Sequence, residues 1–181
     1  MKINEFFSKF KGGGKKPPGV PLSEVLWSFI GSFTGIALLG YLSSHYFEPR
    51  DLTLIIGPHG ASAVLVYAAI KSPFAQPRNL VGGHILSALI GVMSYKLFPE
   101  HLWLASALAA SMAIVVMLLT KTLHPPGGAT ALIAVLGGEK IHKLGFLYVL
   151  IPSGLGAIIL LIVALLVNNL SPNRRYPEYW L

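Results

Sequence analysis

The chain has 181 residues, 54% of them apolar and only 12% charged, with a mean hydropathy of +0.66. That balance excludes an ordinary soluble domain and points to one integral membrane domain. The formal charge of +7 is not a nucleic-acid signal. The basic residues cluster outside the apolar runs without an aromatic-basic platform, as expected for residues that set topology and touch acidic lipid head groups. Cysteine is absent, so neither a disulfide frame nor a thiolate metal site is available.

Residues 1–21 read as a basic cytoplasmic tail, polar and rich in glycine and proline, without the apolar core of a secretory signal. Ile3 to Phe10 fits either a short amphipathic helix, with Phe6, Phe7 and Phe10 on one side, or a disordered stretch. Six apolar segments follow. Segments a (Leu22 to Tyr46), c (Pro77 to Phe98), a′ (Leu102 to Thr120) and c′ (Leu144 to Asn168) are long enough to span as helices. Segments b (Leu52 to Ile70) and b′ (Leu123 to Gly138) are shorter and broken at Pro-His-Gly and Pro-Pro-Gly-Gly. The order long, broken, long occurs twice, over 22–98 and 101–170, inside a single transmembrane domain of residues 22–170; residues 171–181 read as a cytoplasmic tail.

If all six segments cross and the N-terminus is cytoplasmic, ten basic residues lie inside and four outside; re-entrant b and b′ give eight and six. The positive-inside rule prefers six crossings, which makes the two three-segment repeats inverted. The expected fold is therefore an all-α membrane bundle of two inverted repeats, with four full spanning helices and two broken half-helices. Glycine and serine ladders, Gly31 with Gly35 and Gly83 with Ser87 and Gly91, mark close helix contacts within the bundle or between copies.

No Asp or Glu lies in the interior of a segment, which argues against a carboxylate proton relay, a carboxylate-bound metal and hydrolytic acid-base chemistry. The polar groups at depth are His59, Ser62, His84, His124 and Thr130. Each break precedes a half-helix of about 18 Å, so both half-helix N-termini lie near the midplane. Gly60, Ala61 and Ser62 on one side, and Gly127, Gly128, Ala129 and Thr130 on the other, are expected to bind a small anion through free backbone N–H groups and the dipole ends. Ser62 and Thr130 either add hydroxyl contacts or only pack and cap. His59 and His124 either line the site or satisfy freed carbonyls. His84 is a packed core histidine or an accessory site group, and Arg78 an interfacial anchor or an anion attractor at the cytoplasmic mouth. The spacing of the three histidines matches no metal motif.

The run His124-Pro125-Pro126-Gly127-Gly128-Ala129-Thr130-Ala131-Leu132 resembles the signature of the HPP family of integral membrane proteins. Pro58-His59-Gly60-Ala61-Ser62-Ala63-Val64, Ala75-Gln76-Pro77-Arg78-Asn79 and Gly82-Gly83-His84 are similar to that family as well, so the resemblance covers about residues 22 to 170. It implies nitrite transport, assigned to cyanobacterial and plastid-envelope members. It also implies four spanning helices, a count that would overlook short broken segments. Some members carry C-terminal CBS domains, for which this chain has no room.

The expected function is transport of a small monovalent anion, nitrite by the resemblance, without enzymatic catalysis or a cofactor, passive or coupled through histidine protonation. The expected setting is the bacterial plasma (inner) membrane with both termini cytoplasmic, in contact with lipid and not nucleic acid, and with a homo-oligomer helping to bury the polar segments. Two other readings stay open: a non-transporting structural or assembly module, and an intramembrane metalloenzyme built on His59, His84 and His124.

Overall fold

A computed structural model describes residues 3–11, 14 and 18–181, and all regular structure among them is helical. A short helix α1 (Ile3–Ser8) runs into a 3-10 turn, with the rings of Phe6, Phe7 and Phe10 in mutual contact. Helix α2 (Leu22–Leu42) continues through a π turn and a 3-10 turn to Arg50. After an extended stretch come α3 (Gly57–Ala63), prolonged by a π turn over Val64–Ala68, and α4 (Pro77–Leu97). The second half holds α5 (Leu102–Leu119), α6 (Pro125–Leu136), α7 (Gly138–Leu144) and α8 (Leu155–Leu170), the last preceded by a π turn over Val149–Gly154. Among the described residues, four helical stretches are long and apolar enough to cross a membrane: Leu22–Arg50, Pro77–Leu97, Leu102–Leu119 and Val149–Leu170. The protein is an all-helical membrane bundle.

Proline places the half-helices. Pro58 is the second residue of α3, and Pro125 and Pro126 are the first two of α6. There a fixed φ suits the first turn and the missing N–H costs nothing. Ile56 and His124, the residues before the two half-helices, are extended. The half-helices therefore begin about three residues earlier than the sequence pattern places them, at Gly57 and Pro125 rather than at Gly60 and Gly128. Segment c′ also differs: Gly145, at φ +51, ends the separate helix α7, and the spanning stretch starts at Val149 rather than Leu144.

Contacts set the direction of each segment. Leu54 N–H donates to Ser43 Oγ at 3.2 Å, while Ser28 Oγ donates to the Tyr67 carbonyl at 2.9 Å. The broken segment thus runs antiparallel to α2 along most of its length. Helix α6 lies beside α4 in the same direction, with His124 level with Gly83, Gly127 with Ser87, and Ala131 and Ala134 with Gly91. Asn79 and Arg78, at the start of α4, donate to the Leu123 and Thr120 carbonyls at 2.8 and 2.7 Å. Each broken segment therefore passes from one end of the bundle to the other as an extended entry followed by a half-helix.

The ladders read from the sequence are contacts within the bundle. Gly31 and Gly35 receive the Tyr67 ring, whose hydroxyl donates to the Leu160 carbonyl at 3.1 Å. At Gly91 an added Cβ would lie 2.5 Å from the Ala131 carbonyl oxygen and 2.8 Å from its Cα, both backbone atoms that cannot swing away. Gly91→Ala is expected to destabilise the protein by about 2 kcal/mol through overpacking. Gly40→Ala, with nothing within 4 Å of the added carbon, should be neutral or slightly stabilising. Thermal unfolding of both variants in one detergent checks the contrast.

Residues 171–181 are not a free tail. Arg174 and Tyr176 are buried, and the Tyr176 hydroxyl donates to the Ala75 carbonyl at 2.7 Å. Burial raises the Tyr176 phenol above its ordinary pKa. The Arg174 guanidinium reaches the Glu24 carboxylate at 3.0 Å, the carbonyls of Glu24 and Tyr67, Asn168 Oδ1 and Ser28 Oγ. One buried cation thus joins the start of α2, the end of the α3 half-helix and the end of α8.

Candidate functional site

The two half-helices meet through side chains in the middle of the bundle. Ser62, in the second turn of α3, bonds His84 Nε2 at 2.7 Å and His124 Nε2 at 2.8 Å. His84, on α4, bonds Thr130 Oγ1 of α6 through Nδ1 at 2.8 Å, and His124 Nδ1 bonds the Phe74 carbonyl at 2.7 Å. His59, Ser62, His84, His124 and Thr130 are all completely buried. The His84 ring lies 5.4 Å from that of His59 and 5.2 Å from that of His124, centroid to centroid. His84, which the sequence marks only as an accessory group, is the centre of the network.

The proton positions follow from the partners. A carbonyl can only accept, so His124 carries its proton on Nδ1 and accepts at Nε2 from the Ser62 hydroxyl. Ser62 then accepts from His84 Nε2–H, and His84 Nδ1 accepts from the Thr130 hydroxyl. The neutral chain points one way, from Thr130 to Phe74. Thr130 has a second acceptor in reach, the Pro126 carbonyl at 3.2 Å, and its own carbonyl accepts from the Tyr148 hydroxyl at 3.0 Å.

His59 stands beside this chain. Its Nδ1 accepts from the Ile56 N–H at 3.4 Å, so the neutral ring carries its proton on Nε2. That nitrogen is buried and has no hydrogen-bond partner; Ser153 Oγ is likewise buried, with the Tyr148 hydroxyl beside it but outside hydrogen-bonding geometry. The Ser153 backbone lies beside the His59 ring but outside hydrogen-bonding geometry. A methyl group at Gly156 would collide with the ring, so this glycine is what admits His59 against α8. Unpartnered polar atoms at full burial are costly, and such groups point to a ligand or water. Ser153 was missed at the sequence level, although Pro152-Ser153-Gly154 interrupts an apolar run as the other two breaks do.

The backbone donors expected at the breaks are fewer than anticipated. Pro125 and Pro126 have no N–H, and Gly127 N–H is spent on the His124 carbonyl at 2.8 Å. At the other break Pro58 has none, and His59 N–H is spent on the Ile56 carbonyl at 3.0 Å. The dipole ends remain, but the converging donors are side chains. Gly60 and Ala61 are exposed on the outer face of α3, where Gly60 borders two grooves of about 400 and 360 Å³. Gly127 is buried against Ser87, and Gly128 and Ala129 are half-buried. Arg78 caps the C-terminal end of α5 through the Thr120 carbonyl, a favourable place for a cation. Among the described residues no cluster of three or more His, Cys, Asp or Glu side chains is arranged to hold a metal.

The HPP transmembrane region matches residues 17–177. The chain belongs to the HPP transmembrane family. Two curated transmembrane proteins of Dictyostelium discoideum are similar to this HPP domain. One is 44% identical over 179 residues, covering 97% of the chain and 57% of its own length. The other is 45% identical over 187 residues, covering 99% and 65%. The chain thus spans roughly three fifths of the length of these relatives. No solved structure matches it.

Proposed function

We propose that this HPP domain carries a small monovalent anion across the membrane, nitrite being the first candidate, rather than catalysing a reaction. The observation that carries this reading is the unpartnered buried donor His59 Nε2–H, beside the His84–Ser62–His124 chain that links the two half-helices. Its surroundings suit a negative charge: the dipole ends are positive, and no Asp or Glu is buried among the described residues. A monovalent ion fits because the nearest donors are neutral side chains, whereas a divalent one would demand more buried positive charge than they supply. Nitrite itself comes from the family resemblance.

On this reading the two halves are inverted repeats whose half-helices enter from opposite sides, and the basic residues near both ends of the domain favour a cytoplasmic side for them. We place the protein in a plasma membrane, bacterial by the sequence expectation. A homo-oligomer would cover the outer face of α3, where Gly57, Gly60, Ala61, Val64 and Ala68 are exposed. The competing structural-module reading draws on the closed, almost fully bonded network, which a purely structural core would also show.

Reconstituted vesicles separate the two. Nitrite uptake is expected to exceed that of protein-free vesicles at least tenfold, with nitrate, formate and chloride compared in the same assay. No flux of any of these anions above the protein-free rate would leave the structural module as the function.

A further inference from the structure

We propose that the His84–Ser62–His124 chain is a binding site for one proton, taken up together with the anion, so that the protein moves a proton and a monovalent anion as an electroneutral pair. The inference rests on the anion-transport reading above.

The geometry admits one extra proton without disturbing the chain. A proton added at His84 Nδ1 makes that ring a donor on both sides, to Ser62 at 2.7 Å and to Thr130 at 2.8 Å. The Thr130 hydroxyl then turns to the Pro126 carbonyl at 3.2 Å, and every partner is retained. A concerted shift gives a second satisfied form. His84 passes its Nε2 proton to Ser62 while Ser62 passes its own to His124 Nε2, so the charge moves to His124. His124 keeps its Nδ1–H on the Phe74 carbonyl throughout. A second proton is refused: with both rings charged, Ser62 would accept from both sides and its own hydrogen would have no acceptor, with the ring centroids only 5.2 Å apart.

The proton comes from hydronium, which leaves as water when the Nδ1–H bond forms, and it is returned to water by the reverse step. The groups facing His84 decide what balances its charge. Helix α3 presents His59 and Ser62, α6 presents Thr130 with His124 at its start, and Tyr148 reaches Thr130 from the segment before α8. Helices α5 and α8 contain no titratable side chain. No carboxylate is there to neutralise the histidinium, so the counter-charge must arrive with the cargo. His59, whose Nε2–H would hold the anion, has its ring 5.4 Å from that of His84 by centroids. At an effective dielectric constant of about 20, opposite charges about 5–8 Å apart favour each other by roughly thirty- to two-hundredfold. The coupling is reciprocal: the anion favours the proton and the proton favours the anion.

The test uses the full chain in vesicles that hold a pH-sensitive dye, with nitrite as the probe and the potential clamped by potassium and valinomycin. Expected is nitrite uptake driven at least tenfold by an inward proton gradient, lumen acidification of one proton per nitrite above the protein-free rate, and less than twofold change when the clamped potential is reversed. His84→Gln should lose the proton-gradient drive. Because that variant could fail to fold, the wild-type stoichiometry and voltage response decide the matter alone. Nitrite flux that follows the potential and ignores the proton gradient overturns the proton site and leaves anion transport standing. No flux of nitrite, nitrate or formate overturns both.

Discussion

Ser62→Ala is expected to reduce nitrite flux by about a hundredfold and to destabilise the protein by about 3 kcal/mol. One hydroxyl serves two buried rings, accepting from His84 Nε2–H and donating to His124 Nε2. Removing it strands both nitrogens at full burial, and each stranded group costs about 1–3 kcal/mol. Alanine is smaller, so overpacking plays no part. Thr130→Val is the companion: it keeps the shape, strands His84 Nδ1 alone, and should cost less stability, about 1–2 kcal/mol, with a flux loss of about tenfold. Flux measured in vesicles against thermal unfolding in detergent separates the two effects. Unchanged flux in both folded variants would remove the network from the transport path.

Arg174→Ala is expected to be the most destabilising single change, by about 3–5 kcal/mol, the range for breaking a buried ion pair from one side. The Arg174 side chain is 1% exposed and satisfies the Tyr67 carbonyl, Asn168 and Ser28 as well as Glu24. Glu24, whose side chain is 31% exposed, is the wetter partner. Glu24→Gln should therefore cost less, about 1 kcal/mol, since an amide oxygen still accepts from the guanidinium. Unfolding in detergent that ranks the two variants in the reverse order would contradict this account.

The segment plan was readable because apolar length and Pro-Gly breaks are local. Pro58 and Pro125 mark their half-helices whatever the rest of the chain does. The half-helix starts were misplaced because Gly60 and Gly128 look like the breaks, while a proline can itself open the first turn. The shortage of free N–H groups was legible in principle, since Pro125 and Pro126 carry none. What no local pattern could show is the partnership of Ser62 with His84 and His124, 22 and 62 residues away. That pairing exists only once α3, α4 and α6 are packed. Arg174 gives no local sign of its burial for the same reason: its partners include Glu24, Ser28 and Tyr67, 107 to 150 positions upstream.

The Arg174 clasp also orders how the protein is made. Glu24 and Ser28 precede Arg174 by 150 and 146 residues, and the three later spanning stretches lie between them. Until residue 174 is made, the Tyr67 carbonyl at the end of the first half-helix lacks its guanidinium donor. A chain cut before residue 174 would therefore hold all four spanning stretches without the guanidinium that fastens α2 to α8.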